Sequence, residues 1–249
     1  MCKVTVIAFL MFALVGFALA HDSEPINTNF AAPFAPGAGN IQVGMQTFHN
    51  VHLYDFTTLD LEYGFAPRQQ FSLGIPLMRS DGGSETYYRP GNLEMEYRLL
   101  IAGDNRRRFA LSLNPGAELP TGDKRVSESA WAAGGTVNLD THLAEKWWTH
   151  SNFGYFTQVA NITEREKSFV YNNAIMYELS ERLRPVLEVI GSTDFANHQT
   201  ALSIAPEAIF APNHHWEIKA AVPVGVTKAA PTVGFQLAVV WKFGEKGRQ

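Results

Sequence analysis

The chain has 249 residues, 46% hydrophobic and 18% charged, and its 20 Lys and Arg against 24 Asp and Glu give a formal charge of −4. The bases are dispersed and the balance is acidic, so the basic face that nucleic-acid binding requires is missing and nucleic acid is excluded as a partner. The only cysteine, Cys2, excludes an internal disulfide.

Residues 1–20 read as a secretory leader: Lys3 in a short n-region, an apolar run from Val4 to Leu19, and Ala18-Leu19-Ala20 as a small-residue cleavage site. The mature chain is expected to begin near His21. It then carries 19 basic against 24 acidic residues, has no thiol nucleophile or Cys metal site, and has no cysteine at the cleavage site for a lipid anchor. Beyond the leader no run of ~18 apolar residues occurs, which excludes helical membrane spanning but leaves a soluble β-sandwich open on composition alone. Residues 21–39, with AAPFAPGAG rich in Pro, Gly and Ala from Ala31 to Gly39, predict an irregular periplasmic lead-in.

From residue 40 to 243 the hydrophobicity alternates with period two, which predicts one domain of half-buried strands. Ile41, Val43 and Met45 alternate with Gln42 and Gln46, Leu59 and Leu61 with Asp60 and Glu62, and Phe71, Leu73 and Ile75 with Ser72 and Gly74. Segments near Leu93–Leu99, Phe109–Leu113, Val137–Leu143, Phe153–Tyr155, Tyr171–Leu179, Leu187–Val189, Leu202–Phe210 and Trp216–Val222 follow. The last strand runs from Val233 to Phe243 with Gln236, Ala238, Trp241 and Phe243 at the spacing of the closing signal of outer-membrane barrels. The total is about twelve. Pro76, Pro115, Pro185, Pro206 and Pro223 fall inside these strands and are expected at bulges or strand ends, since each removes a ladder donor.

Connection lengths alternate. Short turns at 66–68, 102–106, 144–146, 180–183 and 211–214 are expected in the periplasm. Mostly longer segments near 79–90, 120–129, 158–167 and 192–199, with shorter ones at 49–55 and 225–231, are expected outside the cell. The fold class is therefore all-β: a transmembrane antiparallel barrel of about twelve strands with both termini periplasmic, because only a closed sheet pairs every strand amide within lipid. The tail GEKGRQ, 244–249, is expected to hang free in the periplasm.

The stretches LEYGFAPRQQFSLGIPL and GNLEMEYRLLIAGDNRRRFALSLNPGAELPTGD, then NNAIMYELSERLRPVLEVIGS and APEAIFAPNHHWEIKAAVPVG, resemble the outer-membrane family associated with the meta-pathway of phenol degradation. The resemblance covers roughly Ile41 to Phe243 and rests on barrel-type repeats. It implies an outer-membrane transport channel, often for hydrophobic or aromatic compounds, and carries over no functional residues.

Parity assigns a charged set to the lumen: Asp60, Glu62, Glu94, Glu96, Glu118, Asp140, Glu178, Glu188, Glu207 and Glu217, against Arg98, Arg108, Arg184, Lys219 and Lys242. Two readings stand side by side: ion pairs bracing a narrow barrel, and a hydrated, acid-rich solute path. Tyr63, Phe65, Phe71, Tyr97, Phe109, Trp147, Trp216, Trp241 and Phe243 fall near strand ends and read as a girdle at the lipid headgroups rather than a stacking path.

Trp148-Thr149-His150-Ser151-Asn152 raises a lipid-cleaving barrel enzyme, which needs His and Ser two apart on one strand face. Here they are adjacent, and Asn152 is no nucleophile, so a polar lumen-wall histidine is preferred. His214-His215 belong to a turn at the opposite end from His49 and His52, which argues against a shared metal site. The sequon at Asn161 reads as chance in an exported bacterial protein. The sequence thus predicts a passive outer-membrane channel for small solutes without cofactor or metal, whose partners are outer-membrane lipid, the barrel assembly machinery and an unidentified solute. The alternative is a plugged barrel acting through its loops.

Overall fold

A computed structural model of the chain describes residues 24–49, 56–81, 86–104, 108–124, 131–159 and 167–244. The expected leader with Cys2, the sequon at Asn161, His21, His52 and the tail after Gly244 lie outside the described residues.

Fourteen strand segments form one antiparallel sheet and, among the described residues, no helix occurs. They are β1 (Gly39–His49), β2 (Phe56–Ala66), β3 (Gln69–Asp81), β4 (Thr86–Pro90), β5 (Leu93–Gly103), β6 (Phe109–Leu119) and β7 (Ala132–Ala144). The second half comprises β8 (Trp147–Gln158), β9 (Lys167–Tyr177), β10 (Leu183–Asp194), β11 (Gln199–Asn213), β12 (Trp216–Ala221), β13 (Val224–Gly225) and β14 (Val233–Phe243).

The staves number twelve. β4 and β5 both pair with β3, Pro90 opposite Leu77 and Glu94 opposite Gly74, so they are one stave with an extra residue at Gly91-Asn92. β12 and β13 pair with β11 in a single register, Ala221 opposite Glu207 and Val224 opposite Ile204, interrupted at Val222-Pro223. β1 pairs with β14 from Gly39 opposite Phe243 to His49 opposite Val233, which closes the barrel and leaves no sheet edge.

The alternation read from the sequence has a direct physical outcome. Val43 is 50% exposed and Leu61 40%, whereas Ser112 is 1% and Gln236 2% exposed, so the apolar face looks outward and the polar face is enclosed. Phe65, Phe109, Trp147, Trp216 and Trp241 crowd the short-turn end, and Phe243 stacks on Tyr63 at 6.5 Å beside Trp241 at 5.4 Å. That is the girdle geometry of rings at a lipid headgroup boundary.

Proline placement follows expectation on one flank of each residue. Pro76 lies opposite the extra residue at Gly91-Asn92, the β5–β6 ladder skips Pro115 between Gly116 and Leu113, and β10 pairs with β9 only from Val186, one residue past Pro185. Pro206 and Pro223 lie at the break between β12 and β13. Further register shifts fall at Gly64/Ala66, Leu100/Ala102, His142/Ala144 and Phe210/Asn213, each beside a short turn. A long antiparallel ladder tolerates one missing donor, while a tight turn must accommodate the strand twist locally.

The largest correction concerns the lead-in. Residues 24–38 are irregular as expected, but they lie inside the barrel rather than outside it. The segment runs from Gly39 at the short-turn end into the lumen. Gly37 N donates to Gly64 O at 2.7 Å and Gly64 N to Ala38 O at 2.9 Å. Only glycine fits at 64, because the carbonyls of Phe34 and Ala35 occupy the space a Cβ would take.

Candidate functional site: the lumen and its internal segment

Inward positions on β7 to β11 hold the segment by reading its backbone. Ile26 N donates to Glu207 Oε2 at 3.1 Å and Asn27 N to Glu188 Oε1 at 3.2 Å, while Asn172 Nδ2 donates to Asn27 O. Asn152 reads both groups of Asn29, accepting from its N at 2.7 Å and donating to its O at 2.8 Å. Asn138 donates to Phe30 O and Asp140 accepts from Ala31 N. Side chains add to this: Asn27 pairs with Glu188 and, in both directions, with Gln236, and Thr28 Oγ1 donates to Glu188 at 2.7 Å. Buried amides are costly unless paired, so this matching is what lets irregular backbone sit at membrane depth.

An apolar anchor accompanies the polar contacts. Phe30, 6% exposed, packs with Ala174, Met176, Val186 and Ile209, with Trp148 against the cluster, and its ring lies 4.4 Å from that of His150. His150 faces inward with Nδ1 2.9 Å from Asp140 Oδ1, while Asn152 faces the same way and binds Asn29. Ser151 points to the other face, so among the described residues no hydroxyl pairs with His150.

Of the charged set, Asp60, Glu62, Glu94, Glu96, Arg98, Glu118, Asp140, Arg184, Glu188, Glu207, Glu217, Lys219 and Lys242 occupy inward strand positions. Arg108 and Glu178 do not. Arg108 precedes β6 on an exposed bend and Glu178 follows β9, where its N donates to Lys146 O. Both lie past a strand end, where parity no longer holds because a turn has no alternating faces.

Six of these thirteen inward charges gather in two ion-pair clusters. On one side Arg98, 1% exposed, draws three carboxylates together: Glu24 of the segment at 2.8 Å, Glu62 at 3.6 Å and Glu96 at 3.7 Å. On the other, Glu217 binds Lys242 at 2.8 Å and lies 3.7 Å from Arg184, all three buried. Such clusters are sustained by mutual pairing, since an isolated buried charge would cost several kcal/mol.

A cavity of about 710 Å³ remains between the segment and the wall of β1, β2, β3, β5 and β6, and it reaches residues at the long-loop end such as Gln158, Lys167 and Asp194. Its acids are Glu24, Asp60, Glu62, Glu94, Glu96, Glu118 and Asp194, against Lys167 and Lys219. Glu94 is exposed to it, and Lys219 Nζ donates to Gln42. The two readings of the lumen charges thus meet at the cavity wall: Glu24, Glu62 and Glu96 pair with Arg98 and also line the cavity, while Glu94 is exposed to it.

Sequence reasoning missed the readers of the segment: Asn138, Asn152, Asn172 and Gln236. A signal existed. Asn138, Asn152 and Asn172 are successive cross-strand neighbours on the inward face, a row that the short turns would have brought into register.

The fold and lumen define a class: a closed twelve-stranded antiparallel barrel of the outer-membrane type, apolar outside and partly filled within. The family described as "Putative MetA-pathway of phenol degradation" matches residues 26–243, and the chain belongs to it. The match takes in the internal segment from Ile26 onward. Among solved structures, an outer-membrane channel from Pseudomonas putida F1 is similar with TM-score 0.69 and 15% identity, over 89% of this chain and 100% of that one. The NanC porin aligns at TM-score 0.61 and 9% identity over 82% and 100%. The KdgM porin, solved in complex with disordered oligogalacturonate, aligns at 0.59 and 9% over 83% and 99%. No curated protein matches the chain. At these identities the shared property is the fold.

Proposed function

We propose that the protein is an outer-membrane channel through which small solutes diffuse along the acid-lined side of its lumen, with both termini on the periplasmic side. The observation that carries this is the 710 Å³ polar cavity beside the segment, reaching the long-loop end of a barrel whose outer face is apolar. Nine inward acids, once Glu178 is removed from the set, against four inward bases, once Arg108 is removed, favour cations and neutral solutes over anions. Aromatic solutes, which the family suggests, find less apolar lining: the cluster around Trp148 and Met176 is covered by Phe30, so that class would require the segment to move.

Planar-bilayer recording on refolded protein tests the proposal. In salt gradients the wild type should prefer cations, and Glu94→Gln with Glu96→Gln should lower that preference, more at low salt where screening is weaker. Silence over many insertions, with folding verified by heat-dependent gel mobility, would reject conduction. One observation favours a plugged barrel acting through its loops: the segment fills the lumen toward the short-turn end. Such a barrel would give that silent result.

A further inference from the structure

The inward wall of β7 to β11 does more than fill space. Over the six residues Ile26 to Ala31 it contacts seven backbone groups: the amides of 26, 27, 29 and 31 and the carbonyls of 27, 29 and 30. Every one of those contacts comes from a side chain of the barrel. The readers come from five adjacent staves, Asn138 and Asp140, Asn152, Asn172, Glu188 and Glu207, all inward by strand parity. Carboxylates meet amide N–H groups, and carboxamides meet C=O groups or both. Asn152, with one carboxamide spanning the N–H and C=O of a single residue, duplicates the pairing a neighbouring β-strand would provide.

These seven contacts read backbone groups, and the side chains of Asn27, Thr28 and Phe30 add to them. We propose that the wall is a binding site for a peptide backbone following the irregular course of Ile26–Ala31, its resident occupant, and that a short peptide binds there in trans when the resident contacts are weakened. The Phe30 slot between His150 and Met176 takes a ring at the fifth residue of the site. Three reading carboxylates, Asp140, Glu188 and Glu207, disfavour acidic peptides. The inference goes beyond conduction, since binding is measured whether or not the barrel passes current.

The test uses the full chain carrying Asn27→Ala and Phe30→Ala, and separately a chain lacking Glu24–Pro36, each shown to be folded by heat-dependent gel mobility. The probe is an acetylated, amidated, fluorescein-tagged peptide of residues 25–32, read by anisotropy. It should bind either chain. A peptide N-methylated at the position of Asn29 loses the donor that Asn152 accepts from, and should bind about tenfold more weakly, as should the unmodified peptide to a chain that also carries Asn152→Leu. A peptide that keeps the backbone and the ring but replaces Ile26 and Thr28 by Ala should stay within about tenfold. Failure of the unmodified peptide to bind a folded chain, or equal binding of the N-methylated peptide, would overturn the proposal. Because the doubly substituted chain keeps its segment, a deletion that fails to fold still leaves a decisive measurement.

Discussion

Adjacent residues on one strand face different solvents, and their substitution should separate accordingly. Leu73 points to lipid and Ser72 to the cavity, where Ser72 Oγ lies 3.4 Å from Glu62. Leu73→Arg should cost ~2 to 4 kcal/mol if it lies near the bilayer midplane, whereas Ser72→Arg, placed among Glu62 and Glu96, should cost under ~1 kcal/mol. Urea titration of refolding into bilayers measures both, and equal losses would reject the register of β3. Arg98 offers a second test at this scale, since its removal strands Glu24, Glu62 and Glu96. Arg98→Met should destabilise by ~3 to 5 kcal/mol, and adding Glu24→Gln should recover part of the loss because one uncompensated carboxylate disappears. No recovery in the double variant would show that Arg98 acts chiefly through packing.

At the scale of elements, the closing strand is the informative one. Trp241 and Phe243 lie on the lipid face of β14, and Phe243 is opposite Gly39 while its ring stacks on Tyr63 of β2. Replacing both rings by Ala should lower the yield of folded barrel in the outer membrane far more than removing residues 245–249. Gly244 is kept in that comparison because its φ of +72° suits glycine and it abuts Gly37. A tail deletion as harmful as the double substitution would move the assembly signal to the true end of the chain. Strand count, closure and facing were legible because period two repeats in every stave, so each pair such as Leu61 and Glu62 votes for the same register. The segment was not legible. Its partners, Asn138, Asn152, Asn172, Glu188 and Glu207, are single residues on separate strands, and Pro, Gly and Ala between 31 and 39 signal irregular backbone without saying where it lies. Strand ends were poorly legible for a similar reason: Arg108 and Glu178 kept the parity of the neighbouring strand after the strand itself had ended.

For the whole molecule, the segment and the barrel are coupled, and removing one should change both conduction and stability. Residues 24–38 touch β3, β5, β7, β8, β9, β10, β11 and β14, so they tie together most of the circumference. Deleting Glu24–Pro36 would remove the side chain of Phe30 and the partners of Asn152, Asn172, Glu188 and Glu207. Those side chains would then be exposed to water in a wider lumen, which hydrates the carboxylates and reduces the cost of leaving them unpaired. The expected result is a folded barrel with a larger single-channel conductance than wild type and stronger cation preference, because the retained wall acids outnumber the bases and now border open water. Its thermal stability should fall, since the cross-bracing around Arg98 and the apolar cluster at Phe30 are both lost. Single-channel recording and heat-dependent gel mobility on the same preparation measure the two effects together. A folded deletion variant with wild-type conductance would mean that the solute path lies wholly beside the segment, along Asp60, Glu94 and Glu118, and that filling the rest of the lumen serves the barrel wall alone.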